Sequence, residues 1–125
     1  MNIIAADEIE LIETPNGNRG AALATSSHGA LEVSVIRQRQ SPGGLNPPHT
    51  HDREEVMTVL AGRLRLTVEG EAGVVAAGDT AIIPARATHQ VENAGDLEAE
   101  WLLIAPAGIR FFHANGDEAT PPWSK

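Results

Sequence analysis

Three side chains able to hold a metal stand close together in the stretch GGLNPPHTHDREEVMTVLAGR, residues 43–63: His49, His51 and Glu55. Imidazole and carboxylate groups are costly to bury unless something satisfies them. Here they lead straight into an apolar run, 56–60, of the kind that builds a core. On an extended chain, alternate side chains point the same way. All three residues are odd-numbered, so an extended backbone turns them to one side and sends Asp52 and Glu54 to the other. Pro47 and Pro48 bias the chain just ahead toward extended conformations. Two imidazoles and a carboxylate, without sulfur, suit one divalent transition ion: Fe, Mn, Ni, Co, Zn or Cu. A histidine pair alone also fits an ordinary polar loop, and Asp52, Arg53 and Glu54 fit a solvated turn. A fourth ligand must come from elsewhere. His89, after the apolar run 81–83 and a turn at Pro84, is the best placed, whereas His28 and His113 read as more exposed.

The elements that must position these groups read as strands. Turn clusters such as TPNGNRG (14–20), SPGGLNPP (41–48), EGEAG (69–73) and NAGD (93–96) recur at short intervals and leave short segments between them, a spacing that favours an all-β sandwich or barrel. Leu64, Leu66 and Val68 alternate with Arg65 and Thr67, the period of a strand with one buried face. Leu31, Val33 and Val35 alternate in the same way and predict a second buried face. The runs 56–60 and 101–104 are more continuously apolar and fit burial on both faces. Glu69-Gly70-Glu71 predicts a hairpin between 63–69 and 72–76. Residues 1–13 fit either a strand or one helical turn, and 115–125 read as an irregular tail that Trp123 anchors to the body or to a second subunit.

Composition narrows the function. A chain of 125 residues, 42% apolar, suits one domain with a single core, here aliphatic because there are two Trp, two Phe and no Tyr. A net charge of −8 disfavours a nucleic-acid partner. The absence of cysteine removes thiolate chemistry and fits a reducing compartment. No signal peptide and no apolar stretch of membrane-spanning length are evident, so a cytoplasmic protein without membrane association is expected.

The order Gly43, His49, His51, Glu55, Gly62 resembles the first motif of the cupin superfamily. Gly78, Pro84, His89 and Asn93 resemble the second, and only Arg86 departs, where that family usually has glycine. The resemblance covers 43–62 and 78–93 and implies a jelly-roll barrel, the double-stranded β-helix, across residues 1–125. It implies a metal centre of His49, His51, Glu55 and His89 inside that barrel. Gly62 would lie at the turn after a buried strand, and Gly78 at the turn into the strand that delivers His89. At Arg86 either the turn differs from the family's or the position does not need a positive φ, which glycine accepts and arginine resists. Arg86 would attract an anionic substrate at the barrel mouth, or be a solvated cation.

Three neutral imidazoles and one carboxylate on a divalent ion leave coordination positions open, which suits polarising a carbonyl, carboxylate or enolate and, with a redox-active ion, dioxygen chemistry. Because the imidazoles must be deprotonated, metal affinity should fall below about pH 6. Glu55 is the candidate base. Parity nominates Met57, Val59 and Val91 for the pocket wall, with Arg86, Trp101, Phe111 and Phe112 at the mouth, although ordinary core filling also explains the apolar ones. These features predict a small metal-dependent enzyme, a dioxygenase resembling quercetinase-like cupins, with isomerase, decarboxylase, lyase or cyclase chemistry within the family's range. The alternative is a non-catalytic module that binds a metal or small molecule as a sensor. Apolar Ile9 and Leu11 at an open barrel edge predict a homodimer.

Overall fold

The computed structural model describes residues 1–125. It is built from strands β1 (Ile12–Thr14), β2 (Asn18–Ala24), β3 (Val33–Gln40), β4 (His49–His51), β5 (Glu55–Ala61), β6 (Arg63–Val68), β7 (Glu71–Ala76), β8 (Thr80–Ile83), β9 (His89–Glu92), β10 (Ala99–Pro106), β11 (Phe111–His113) and β12 (Glu118–Ala119). Two antiparallel sheets form, in the orders β1-β2-β3-β10-β5-β8 and β12-β11-β4-β9-β6-β7. The fold is all-β, a jelly roll, as the turn spacing and the resemblance imply. Its only helical pieces are 3-10 turns at Ala6–Glu8 and Ser26–His28, and no helix is long and apolar enough to cross a membrane. The N-terminal ambiguity resolves both ways, since one helical turn is followed by the short edge strand β1.

Alternation decides which residues make the core. Leu64 and Leu66 of β6 are buried, as their period predicts, and pack with Met57, Val59, Ile83, Val91, Trp101 and Leu103 between the sheets. The β6–β7 hairpin turns at Glu69 and Gly70, both with positive φ (49° and 82°), the conformation that matches the twist of a two-residue hairpin.

The outward face of β3 corrects the expectation for 31–35. Leu31 is 91% and Val33 56% exposed, and the buried residues are Ser34, Ile36, Gln38 and Gln40. A one-residue shift of parity exchanges the two faces of a strand. Two of the three polar residues on this inner face find partners, and the third, Gln38, faces a cavity. Ser34 Oγ donates to Ala105 O at 3.1 Å, and Gln40 Nε2 donates to Asn18 Oδ1 at 2.9 Å and Asn46 Oδ1 at 3.1 Å. The runs 56–60 and 101–104 likewise bury only alternate residues. Val56, Leu102 and Ile104 lie half-buried on the outer surface, and Leu60 is exposed.

The tail is anchored to the body. The Trp123 ring meets Phe111 edge-on at 5.9 Å and lies over Gly20, where an added Cβ would come within 2.4 Å of the indole.

Candidate metal centre

Two elements of one sheet bring the histidines together. β4 carries His49 and His51, β9 opens with His89, and the antiparallel pairing of the two strands sets His49 opposite His89. Glu55 opens β5, which belongs to the other sheet. The chain therefore does not run as one extended strand through 49–55. It crosses between sheets at 52–54, and His51 and Glu55 still converge because the inner faces of both sheets look into the same interior. The crossing is held in place: Asp52 Oδ1 accepts from Arg110 N at 2.8 Å, Asp52 N donates to Arg110 O at 3.1 Å, and Arg86 N donates to His51 O at 2.7 Å. Asp52 is thus a clamp rather than part of a solvated turn, while Arg53 and Glu54 are exposed as expected.

The ligating nitrogens of His49, His51 and His89 all lie within 4.8 Å of one another. Their ring centroids stand 4.1–4.9 Å apart. His51 and His89 are each 2% exposed and Glu55 3% exposed; His49 is half-buried and borders an open cavity. Two rings are oriented by the backbone, with Nδ1 of His49 2.9 Å from Pro47 O and Nδ1 of His89 2.9 Å from Ala87 O. A carbonyl can only accept, so each Nδ1 carries the proton and each Nε2 presents a lone pair, the arrangement of a metal-binding histidine. Glu55 meets the trio through His51, with Oε2 2.9 Å from His51 Nδ1. That approach lacks hydrogen-bond alignment, which leaves His51 Nδ1 unpartnered; His51 Nε2 and His89 Nε2 are also buried without a partner. Such groups carry a desolvation cost of about 1–3 kcal/mol each, which a cation among them would offset. The donor set fits a metal ion.

Burial favours the neutral form of two of the rings. Burial, reinforced by repulsion from His89 and His51, lowers the His49 pKa to about 3. Burial also lowers that of His89, against the pull of its backbone bond to Ala87. Both rings therefore remain available as ligands at a lower pH than an ordinary imidazole.

A cavity of about 530 Å³ opens beside His49. Of the residues nominated for its wall, Phe111 lines it and meets His51 edge-on, with ring centroids 4.6 Å apart. Met57, Val59, Val91 and Trp101 are sealed in the core at 0–4% exposure. Phe112 lies under the Arg110 guanidinium, 5.3 Å from the ring centroid. Arg86 is exposed on the turn before β9 and is not among the cavity residues. Its φ is 65°, so this turn keeps the left-handed conformation that glycine would favour and arginine adopts it. The rest of the wall comes from Thr14 to Asn16, Asn18, Arg19, Gln38, Asn46 to Pro48, His113 and Ala119 to Trp123. The proline and asparagine of TPNGNRG and the prolines of the tail were the available signal, but they read as turn residues because nothing local reveals which loops face the same space.

The family model described as Cupin domain matches residues 36–105. Oxalate oxidase 2 of Hordeum vulgare is 34% identical over 102 residues, which cover 72% of this chain and 46% of that protein. The chain thus spans about half the length of the curated relatives it matches. Among solved structures, Bacillus subtilis oxalate decarboxylase, studied for its Mn(II) centres, is 26% identical with a TM-score of 0.75, over 85% of this chain and 30% of that one. The polyketide cyclase RemF of Streptomyces resistomycificus, 20% identical, shares the fold with a TM-score of 0.78 over 99% of this chain and 89% of its own. The matched stretch takes in more than half of the residues and every strand that carries a histidine of the trio, and on that ground the chain belongs to the cupin family.

Proposed function

We propose that this chain is a metal-dependent enzyme with dioxygenase-like chemistry, acting on a small organic molecule held at the cavity beside His49. In this reading His49, His51 and His89 hold one divalent transition ion, and Glu55 is the fourth, carboxylate ligand. The observation that carries it is the set of buried, unpartnered imidazole nitrogens on His51 and His89. The relatives add support, one named as an oxalate oxidase and another studied for its Mn(II) centres. The ion would supply a Lewis acid and, if redox-active, an electron relay to dioxygen. The chain's own residues do the rest. Pro47 O and Ala87 O fix the tautomers of two rings, the surrounding core excludes water from His51 and Glu55, and the Glu55 carboxylate, which borders His51, would act as a base on shifting away from the ion.

Metal analysis of protein grown without added metal tests the reading. Wild-type protein should carry close to one equivalent, and His51→Ala and His89→Ala should lose it. Glu55→Gln should weaken retention by roughly 10–100-fold, the effect of losing a ligand or its close support. Full metal content in all three variants would sink the assignment. Metal bound without oxygen uptake or turnover on any carbonyl or enol substrate would favour the sensor reading.

We infer also that the protein is a homodimer, through a face different from the one the N-terminus predicts. Ile9 and Leu11 are half-buried. The outer face of the first sheet carries the apolar row Val35–Ile104–Val56–Ile82, aligned by register across β3, β10, β5 and β8. Ile82 is 66% exposed and Val33, on the neighbouring row, 56%. Arg37 and Arg39 pair with Glu100 beside the row, giving it a charged border. An apolar centre inside a polar rim is the anatomy of a subunit interface.

A further inference from the structure

The cavity beside His49 has a wall whose chemistry differs from what a small dicarboxylate requires. Five prolines, Phe111 and Trp123 give it flat apolar surfaces. No carboxylate lines it, and its one arginine, Arg19, is already bonded to Glu98. At about 530 Å³ it lies within the range of sites that enclose a whole organic ligand, far more space than a molecule the size of oxalate fills. An anion here would have only the metal to neutralise it.

One wall residue is polar, deeply buried and unengaged. Gln38 is 4% exposed, yet its side-chain amide takes part in none of the chain's hydrogen bonds, unlike Gln40 two residues on, which is tied to Asn18 and Asn46. Register explains where it points. Gln38 lies between Gly20 of β2 and Trp101 of β10 on the inner face of the sheet. Gly20 has no side chain, and the space above it is taken by the Trp123 ring, which forms part of the cavity wall. The Gln38 amide therefore faces the cavity with a donor and an acceptor both free for a ligand.

We propose that Gln38 is the polar anchor of a ring-binding subsite in this cavity, which selects an uncharged cyclic molecule bearing a hydroxyl or carbonyl group over a small dicarboxylate. The prolines and Trp123 enclose the ring, and the Gln38 amide fixes its orientation by bonding the oxygen. The subsite rests on the metal-centre reading only for what happens to the ligand next, and binding at Gln38 is a separate event.

The test uses the full chain, with two probes, catechol and oxalate, each added to zinc-loaded and to metal-free protein. Zinc keeps catechol from being oxidised, so binding is seen without turnover. Catechol should shift the Gln38 side-chain amide resonances in both forms, and oxalate should not. Gln38→Leu, of similar size, should weaken catechol binding about tenfold, the loss of one buried hydrogen bond, while zinc content and oxalate binding stay as in wild type. The subsite is refuted if oxalate moves the Gln38 amide as much as catechol does, if neither probe moves it, or if Gln38→Leu binds catechol unchanged. Failure of wild-type protein to hold zinc would overturn the metal centre and leave the metal-free arm to decide the subsite. The wild-type spectra need no variant, so they decide the matter even if Gln38→Leu is unstable.

Discussion

Arg86 shows how a single residue can break a pattern without breaking the geometry behind it. Its φ of 65° lies in the left-handed region, where a side chain carries a steric cost of roughly 1–2 kcal/mol. Its amide is fixed to His51 O, so the turn cannot relax without disturbing a histidine of the trio. The guanidinium itself is exposed and forms no ion pair. Arg86→Gly should therefore raise the urea midpoint by the equivalent of about 0.5–1 kcal/mol, the relief of strain less the added freedom of an unfolded glycine, and leave metal content unchanged. A lower midpoint would mean that the arginine side chain supports the turn in a way its contacts do not reveal. At this scale the sequence was most informative: the three histidines that assemble were all singled out by type and spacing. Their near neighbour Asp52 was not, since its value lies in a hydrogen bond to Arg110, 58 residues away.

Among the elements, strands defined by alternating apolar residues were legible wherever the inner face is apolar, as in β6. They were misread where it is polar, as in β3. No local rule says that Gln38 and Gln40 go inside, because what admits them is a cavity on one side and a cluster of asparagines on the other. The same limit hid the cavity wall, assembled from a turn before β2 and the tail around β12. Gly20 joins these distant pieces. Gly20→Ala should displace the Trp123 ring, at a cost of about 1–3 kcal/mol if the site resists, and shift part of the tryptophan emission to longer wavelength. Trp101, 1% exposed, supplies an unshifted reference. Unchanged emission would show that the tail packs over an alanine as readily as over a glycine.

For the whole molecule, the jelly roll was legible from turn spacing and from the two histidine-bearing motifs, while the outer surface was not. Leu31 and Val33 look like core residues in the sequence and are solvent-facing in the fold. If a second copy covers that surface, Ile82→Lys, at the most exposed end of the row, should convert a dimeric mass in analytical ultracentrifugation to a monomeric one without lowering metal content. A monomeric wild-type protein would remove the dimer from consideration.

The crossing at 52–54 joins the two layers at the most demanding place in the molecule, since His51 ends a strand in one sheet and Glu55 begins a strand in the other. Sliding the layers past each other by one residue would displace one side chain from the other by roughly 3.3 Å, enough to break their 2.9 Å contact. The cluster thus works as a vernier, registering the alignment of the two sheets far more finely than the core does. Pressure, heat or a distant substitution that shears the layers would disable it while every strand was still paired, so that the cluster would come apart well before secondary structure.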